Sequence, residues 1–325
     1  MPTLATSEVK LNYLQFGGGN NLVLIHGLGA NLSFWYFGAA RLLARTRNLL
    51  MYDLRGHGRS SMPRQGYDLQ QMVRDLIALL DYLDIERADV AGHSFGGRVA
   101  MMLAAQHPER VRNLVVADTQ LRALQPPVRL SEWGHWKRWK TELEGEGLTD
   151  LPQDDSIISP SLLVQLSQAH GNIAAQGRKR ISLRTRDMGD KGLERWQELM
   201  THTSAAHEFE DETPLVPATL KTITAPTLLA FGKFSHCLPT ADRLLDCLPN
   251  ARLIIVPGAG HFFPIVKPRF FARIIEAFLV RQETDTGPMP MRRRMRRFAA
   301  AGLPALAPVD DDDVPVQAGL SAADD

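Results

Sequence analysis

The sequence predicts an α/β fold, a mostly parallel sheet flanked by helices with a helical segment inserted between two of the strands. Three observations carry this. Short apolar runs ending in Gly, Asp or Pro alternate with longer stretches of helical periodicity, the pattern of strands joined by crossover helices. At 325 residues, 44% hydrophobic and 22% charged, the chain is long and apolar enough for a substantial core. The alternation then breaks between about Leu121 and Thr224, a stretch rich in charge and Trp with helical patches and no convincing strand.

The expected strands are Leu22 to Ile25, Asn48 to Tyr52, Ala88 to Ala91, Leu114 to Ala117, Pro226 to Phe231 and Arg252 to Val256. Between the second and third, Leu69, Met72, Leu76, Leu79, Leu80 and Leu83 fall on one face of a helix. Phe271, Ile274, Ile275 and Phe278 do the same near the end of the fold. Residues 1–120 and 225–282 then make the core domain and 121–224 a helical cap. The tail, 283–325, carries MRRRMRRF and DDDD with few large apolar residues and is expected to be disordered.

Composition narrows the function classes. With 37 basic and 36 acidic residues the net charge is +1, so composition gives no electrostatic case for nucleic acid as a partner. The N-terminal stretch lacks the pattern of a secretory signal, and the runs LVLI, LLMY and RLIIV are too short to span a membrane. Cys237 and Cys247 show no metal-ligand spacing, and neither do the histidines, including His135 and His236. A reduced cytoplasmic protein without a metal or other cofactor is the expectation.

The chemistry is concentrated in Gly92-His93-Ser94-Phe95-Gly96-Gly97, a G-x-S-x-G pattern between a strand and a helix. A nucleophile on so sharp a turn needs small neighbours, because the backbone around it is strained and close to other chain. His26-Gly27-Leu28-Gly29 directly follows the first strand, where unobstructed backbone N–H groups can stabilise an oxyanion. On its own it would be read as a glycine turn. His261 lies in a Gly-rich loop off a strand end, Gly258-Ala259-Gly260-His261-Phe262, that can bring it to the serine as general base.

These segments, with Asp53-Leu54-Arg55-Gly56-His57-Gly58-Arg59-Ser60, resemble the α/β-hydrolase family over residues of about 8 to 120 and 225 to 282, in the family's order. The resemblance implies an α/β-hydrolase fold with Ser94 as nucleophile, His261 as base and the backbone N–H groups of Leu28 and Phe95 as oxyanion hole. It implies for the Asp53 loop, His57 included, a role in shaping the site, and His93 is expected to pack beside the elbow. The acid departs from the usual pattern: where most relatives carry Asp in G-x-x-D, this chain reads Gly232-Lys233-Phe234-Ser235. Some members place the acid one strand earlier, and there this chain has Asp118. Capping a turn or helix is the alternative role for Asp118. Ser235→Ala is expected to do little.

A serine at the elbow excludes the alkyl-ester chemistry of epoxide hydrolases and haloalkane dehalogenases, which need a carboxylate there. The predicted activity is hydrolysis of a carboxylic ester or thioester through an acyl-enzyme, on a small-molecule acyl substrate, free or carrier-bound. A carbon–carbon bond hydrolase or lyase using the same triad is the alternative. A non-catalytic ligand-binding member of the fold is a third, favoured by the missing acid at Ser235. Trp133, Trp136 and Trp139 recur every third residue, as a substrate-pocket wall or as packing for the cap. Arg178, Lys179, Arg180, Arg184 and Arg186 read most simply as a solvated helix face, with an anionic carrier as the other reading. Arg292 to Arg294, Arg296 and Arg297, offset by Asp310 to Asp313, are given no specific partner.

Overall fold

The computed structural model describes residues 1–133, 136–145, 147, 149, 151–159, 162 and 190–284. Eight strands form one sheet: β1 (Thr3–Ala5), β2 (Lys10–Gly17), β3 (Asn20–Ile25), β4 (Arg47–Tyr52), β5 (Ala88–His93), β6 (Val111–Ala117), β7 (Thr227–Gly232) and β8 (Ala251–Val256). Their order is β1-β2-β4-β3-β5-β6-β7-β8, parallel from β4 to β8 with β1 and β2 antiparallel at one edge. All six expected strands are present. The first two were not foreseen, because β2 (KLNYLQFG) intersperses Lys10, Asn12 and Gln15 among its apolar residues and never forms a run.

The inner strands are apolar because both faces are covered. Val23 and Ile25 of β3, Leu50 and Tyr52 of β4, Leu114 and Val116 of β6, and Leu229 and Phe231 of β7 belong to one core. Their chain neighbours Leu22, Leu24, Leu49, Met51, Val115, Ala117, Leu228 and Ala230 belong to the other. This is the two-residue alternation of a strand, read simultaneously by two layers. The first layer holds α1 (Leu69–Tyr82) and α2 (Phe95–Gln106), and the second is closed by Phe271, Ile274, Ile275 and Phe278 of the C-terminal helix, Pro268–Thr284. The α1 periodicity ends as expected, and Asp68 caps its start by accepting the Gln71 N–H at 2.8 Å.

The segment between β6 and β7 divides by packing. Leu130, Trp136, Leu143, Ile158 and Leu162 make a small cluster of their own around α3 (Trp136–Gly145). Trp196 and Leu199 of α4 (Asp190–His202), with Ala205, Phe209, Leu215 and Leu220, instead join the main core. His135, the basic run from Arg178 to Arg186 and the charged tail lie outside the described residues. Among the described residues no helix is long and apolar enough to cross a membrane.

The loop after β4 is held by buried charge. Arg55 donates from Nε and Nη2 to the two Asp75 carboxylate oxygens, each at 2.6 Å, with both side chains almost fully enclosed. Asp53 accepts from the Leu32 N–H at 2.7 Å, the Arg59 N–H at 2.8 Å and the Asn12 side chain at 2.7 Å. Removing one member of such a buried pair strands the other. Arg55→Ala is therefore expected to lower the unfolding free energy by about 3–5 kcal/mol, measured by denaturant titration.

Candidate active site

Ser94 stands between β5 and α2 at φ 54° and ψ −120°, a left-handed backbone that only a tightly held turn gives to a side-chain-bearing residue. Its N–H donates to Ala117 O at 2.9 Å, and its carbonyl accepts from the Gly97 N–H at 2.9 Å and the Thr119 hydroxyl at 3.0 Å. The glycines are needed for close approach. A Cβ on Gly92 would collide with the Gly96 carbonyl, one on Gly96 with the Ile25 carbonyl, and one on Gly97 with the Thr119 hydroxyl. The elbow is thus wedged against the ends of β3 and β6, and Ser94 itself remains half-buried rather than enclosed.

Asp118, the residue after β6, also has a left-handed backbone, φ 51°, with its N–H donating to Ala230 O. Its fully buried carboxylate is brought to His261, whose Nδ1 lies 3.2 Å from Oδ1. Oδ2 accepts the Gly232 N–H at 2.7 Å, and Oδ1 also accepts a short hydrogen bond from the Ser235 hydroxyl. Burial raises the Asp118 pKa, opposed by these two donors. Burial pushes the His261 imidazole down to about 4. Since Nδ1 faces a carboxylate, the neutral ring carries its proton there and leaves the Nε2 lone pair free.

Ser235 is therefore more than an empty acid position. Its hydroxyl donates to the same Asp118 oxygen that faces His261 and accepts the Cys237 N–H at 3.1 Å, fixing the carboxylate from below. The expectation that Ser235→Ala does little is corrected. A hydrogen bond to a buried charge is worth about 1.5–3 kcal/mol, and the variant should lose that much in unfolding free energy as well as turnover.

The remaining candidates fall into two groups. Among the described residues, neither the Leu28 nor the Phe95 N–H donates a hydrogen bond within the chain, and a Cβ on Gly27 would come within 3.0 Å of the Ser94 Cβ. Two free donors therefore flank the serine. The tryptophans separate. Trp133 lies before α3 begins and sets its ring edge-on to His236, centroids 6.1 Å apart, while His236 lies 4.9 Å from His261. Trp136 is instead enclosed in the small cluster around α3, 2% exposed, with Nε1 donating to Asp154 at 2.7 Å. The pocket-wall expectation for Trp136 is corrected, because helical spacing does not apply across a helix start.

His93 packs beside the elbow, between Phe34 at 4.7 Å and His261 at 4.7 Å, and its Nε2 donates to His261 O at 2.9 Å. Burial pushes it down to about 3. His57, likewise lowered to about 3, packs against His26, Trp196 and Phe209. The hydrogen bonds of both rings go to backbone carbonyls, His57 Nδ1 with Arg55 O at 3.0 Å and His93 Nε2 with His261 O. Sequence spacing had no means of finding His236 and Cys237: Cys237 Sγ lies 3.6 Å from His261 Nδ1, a neighbour contributed by the turn after β7.

A sheet of this order, a serine at the β5–α2 elbow and a histidine after β8 define a class. The chain belongs to the alpha/beta hydrolase fold family, whose model matches residues 20–268. Among curated relatives, 3-oxoadipate enol-lactonase 2 of Acinetobacter baylyi is 36% identical over 153 residues, 46% of this chain and 54% of that protein. The chain thus spans about half the length of this relative. The 2-hydroxymuconate semialdehyde hydrolase of a Pseudomonas species is 26% identical over 288 residues, 85% of this chain and 92% of that protein. The solved structure of an N-acyl homoserine lactone degrading enzyme superposes with a TM-score of 0.60 at 25% identity, covering 85% of this chain and all of that one.

Proposed function

We propose that this chain is a serine hydrolase that cleaves a carboxylic ester or thioester of a small-molecule acyl substrate, free or carrier-bound, in the cytoplasm. The observation that carries the reading is the contact of His261 Nδ1 with the buried Asp118 carboxylate, beyond the same C-terminal ends of the parallel strands as the strained Ser94 turn. Ser94 attacks the carbonyl, His261 Nε2 takes its proton, and Asp118 holds the ring and stabilises the imidazolium that forms. The oxyanion is received by the Leu28 and Phe95 N–H groups. The acyl-enzyme is then hydrolysed by a water that His261 deprotonates. The relatives named as lactonases support this reading, since a lactone is a cyclic ester.

Carbon–carbon bond hydrolysis by the same three residues is the second reading, favoured by the 2-hydroxymuconate semialdehyde hydrolase that matches along 85% of the chain. A panel of p-nitrophenyl esters of increasing chain length, acyl thioesters and a vinylogous diketone separates the two. Ester or thioester turnover exceeding diketone turnover is expected, and the reverse ranking overturns the assignment.

The base role has a pH signature. His261 must be neutral to accept a proton, so kcat/KM is full above its pKa and falls as pH drops through it. Because burial lowers that pKa from 6.5 to about 4, the acid limb should lie well below the ordinary histidine range. An acid limb above pH 6.5 would contradict a buried base.

A further inference from the structure

We propose that His236, Cys237 and His261, with the Asp118 carboxylate beside them, form a latent site for Zn2+ or a similar borderline-to-soft divalent cation, and that filling it switches the hydrolase off. Cys237 Sγ lies 3.4 Å from His236 Nε2 and 3.6 Å from His261 Nδ1, and His261 Nδ1 lies 3.2 Å from Asp118 Oδ1. The donor atoms of His236, Cys237 and His261 all lie within 4.8 Å of one another. With Zn–S near 2.3 Å and Zn–N or Zn–O near 2.0–2.2 Å, the edges of a tetrahedral site measure about 3.3–3.6 Å. Two of the edges among these three ligands, 3.4 and 3.6 Å, are therefore already close to their coordinated lengths.

Charge favours the same conclusion. A dication with one thiolate keeps a single positive charge, which the buried Asp118 carboxylate beside His261 Nδ1 offsets. Two nitrogens and a sulfur select zinc or cadmium over magnesium or calcium. Ser235 remains hydrogen-bonded to Asp118 Oδ1 and orients that carboxylate from outside the coordination sphere. Cys237 and Asp118 are fully buried, whereas His236 and His261 keep 8% and 9% of their surface in contact with solvent.

The inhibitory step rests on the proposed base role of His261. Coordination at Nδ1 needs the lone pair there, so the ring proton moves to Nε2, the nitrogen that must accept the proton of Ser94. Cys237 gives its thiol proton to solvent. The balance is one proton released per cation bound, with no oxidant or reductant involved. The metallated and catalytic states are mutually exclusive because both use the same ring in opposite tautomers.

Zn2+ titrated into the chelator-treated full-length protein should bind at one equivalent with release of about one proton, read from the buffer dependence of the calorimetric heat. Turnover should fall at least about tenfold and recover on adding chelator. Cd2+ should produce the ultraviolet absorption of a cadmium–thiolate. Cys237→Ala should remove that band and raise the half-inhibitory Zn2+ concentration by at least about tenfold, while Cys247→Ser keeps both as in the wild type. No thiolate band, or a band and inhibition undiminished in Cys237→Ala, overturns the site and leaves the base role of His261 standing. A wild-type band with undiminished turnover overturns the switch and counts against His261 as base. Absence of activity on every ester would count against the proposed function alone, because the band and the proton count still decide the site.

Discussion

Ser94→Ala should abolish turnover while leaving the fold intact, with kcat down by about 10⁶-fold, the scale seen when a serine protease loses its nucleophile. The hydroxyl makes no hydrogen bond among the described residues, so its removal costs little packing or polar satisfaction. The turn is set by backbone contacts, Ser94 N–H to Ala117 O and Ser94 O to Gly97 N–H, which alanine keeps. Alanine at φ 54° is no more strained than serine, so the thermal midpoint should be close to that of the wild type. Steady-state assay of the purified variant checks this. More than a small percentage of wild-type esterase activity would remove Ser94 from the mechanism.

Asp118→Asn should lower kcat by about 10⁴-fold. Asparagine can still accept the Gly232 N–H, but its amide nitrogen can turn toward His261 Nδ1 as a donor. That pairing favours the wrong tautomer, with the lone pair on Nδ1 and the proton on Nε2. It also withdraws the charge that stabilises the imidazolium in the transition state. If Asp118 only capped a turn, the variant would lose about 0.5–2 kcal/mol of stability and keep near-normal kcat. Pairing it with Ser235→Asp sharpens the test, since the Ser235 side chain already touches the oxygen that faces His261. Part of the lost rate should return in the double variant, measured as kcat against Asp118→Asn alone.

What could be read from the chain and what could not divides along sequence distance. The elbow is legible because its glycines, strand and helix are contiguous, and each glycine answers a contact within the same local knot or with the neighbouring strand ends. The parallel strands are legible because burial on two faces makes them unbroken apolar runs. Strand β2 is not, since Lys10, Asn12 and Gln15 interrupt its apolar residues and leave no run. Asp118 could be named only through the resemblance, because it meets His261 across 143 residues of chain. The service of Ser235 to Asp118, 117 residues away, left no trace in spacing. The same holds for His236 and Cys237, which spacing gave no reason to group and which the turn after β7 delivers to His261. Trp133 and Trp136 show the opposite failure: a regular three-residue spacing suggested one helical face, yet α3 starts at Trp136 and leaves Trp133 outside it.

Reaction of the full-length protein with a fluorophosphonate, followed by peptide mass spectrometry, tests the central claim most directly. The account predicts one rapid adduct per chain on the peptide holding Ser94, absent in Ser94→Ala and much slower in His261→Ala. A rapid adduct on any other residue, or unchanged labelling in His261→Ala, would contradict it.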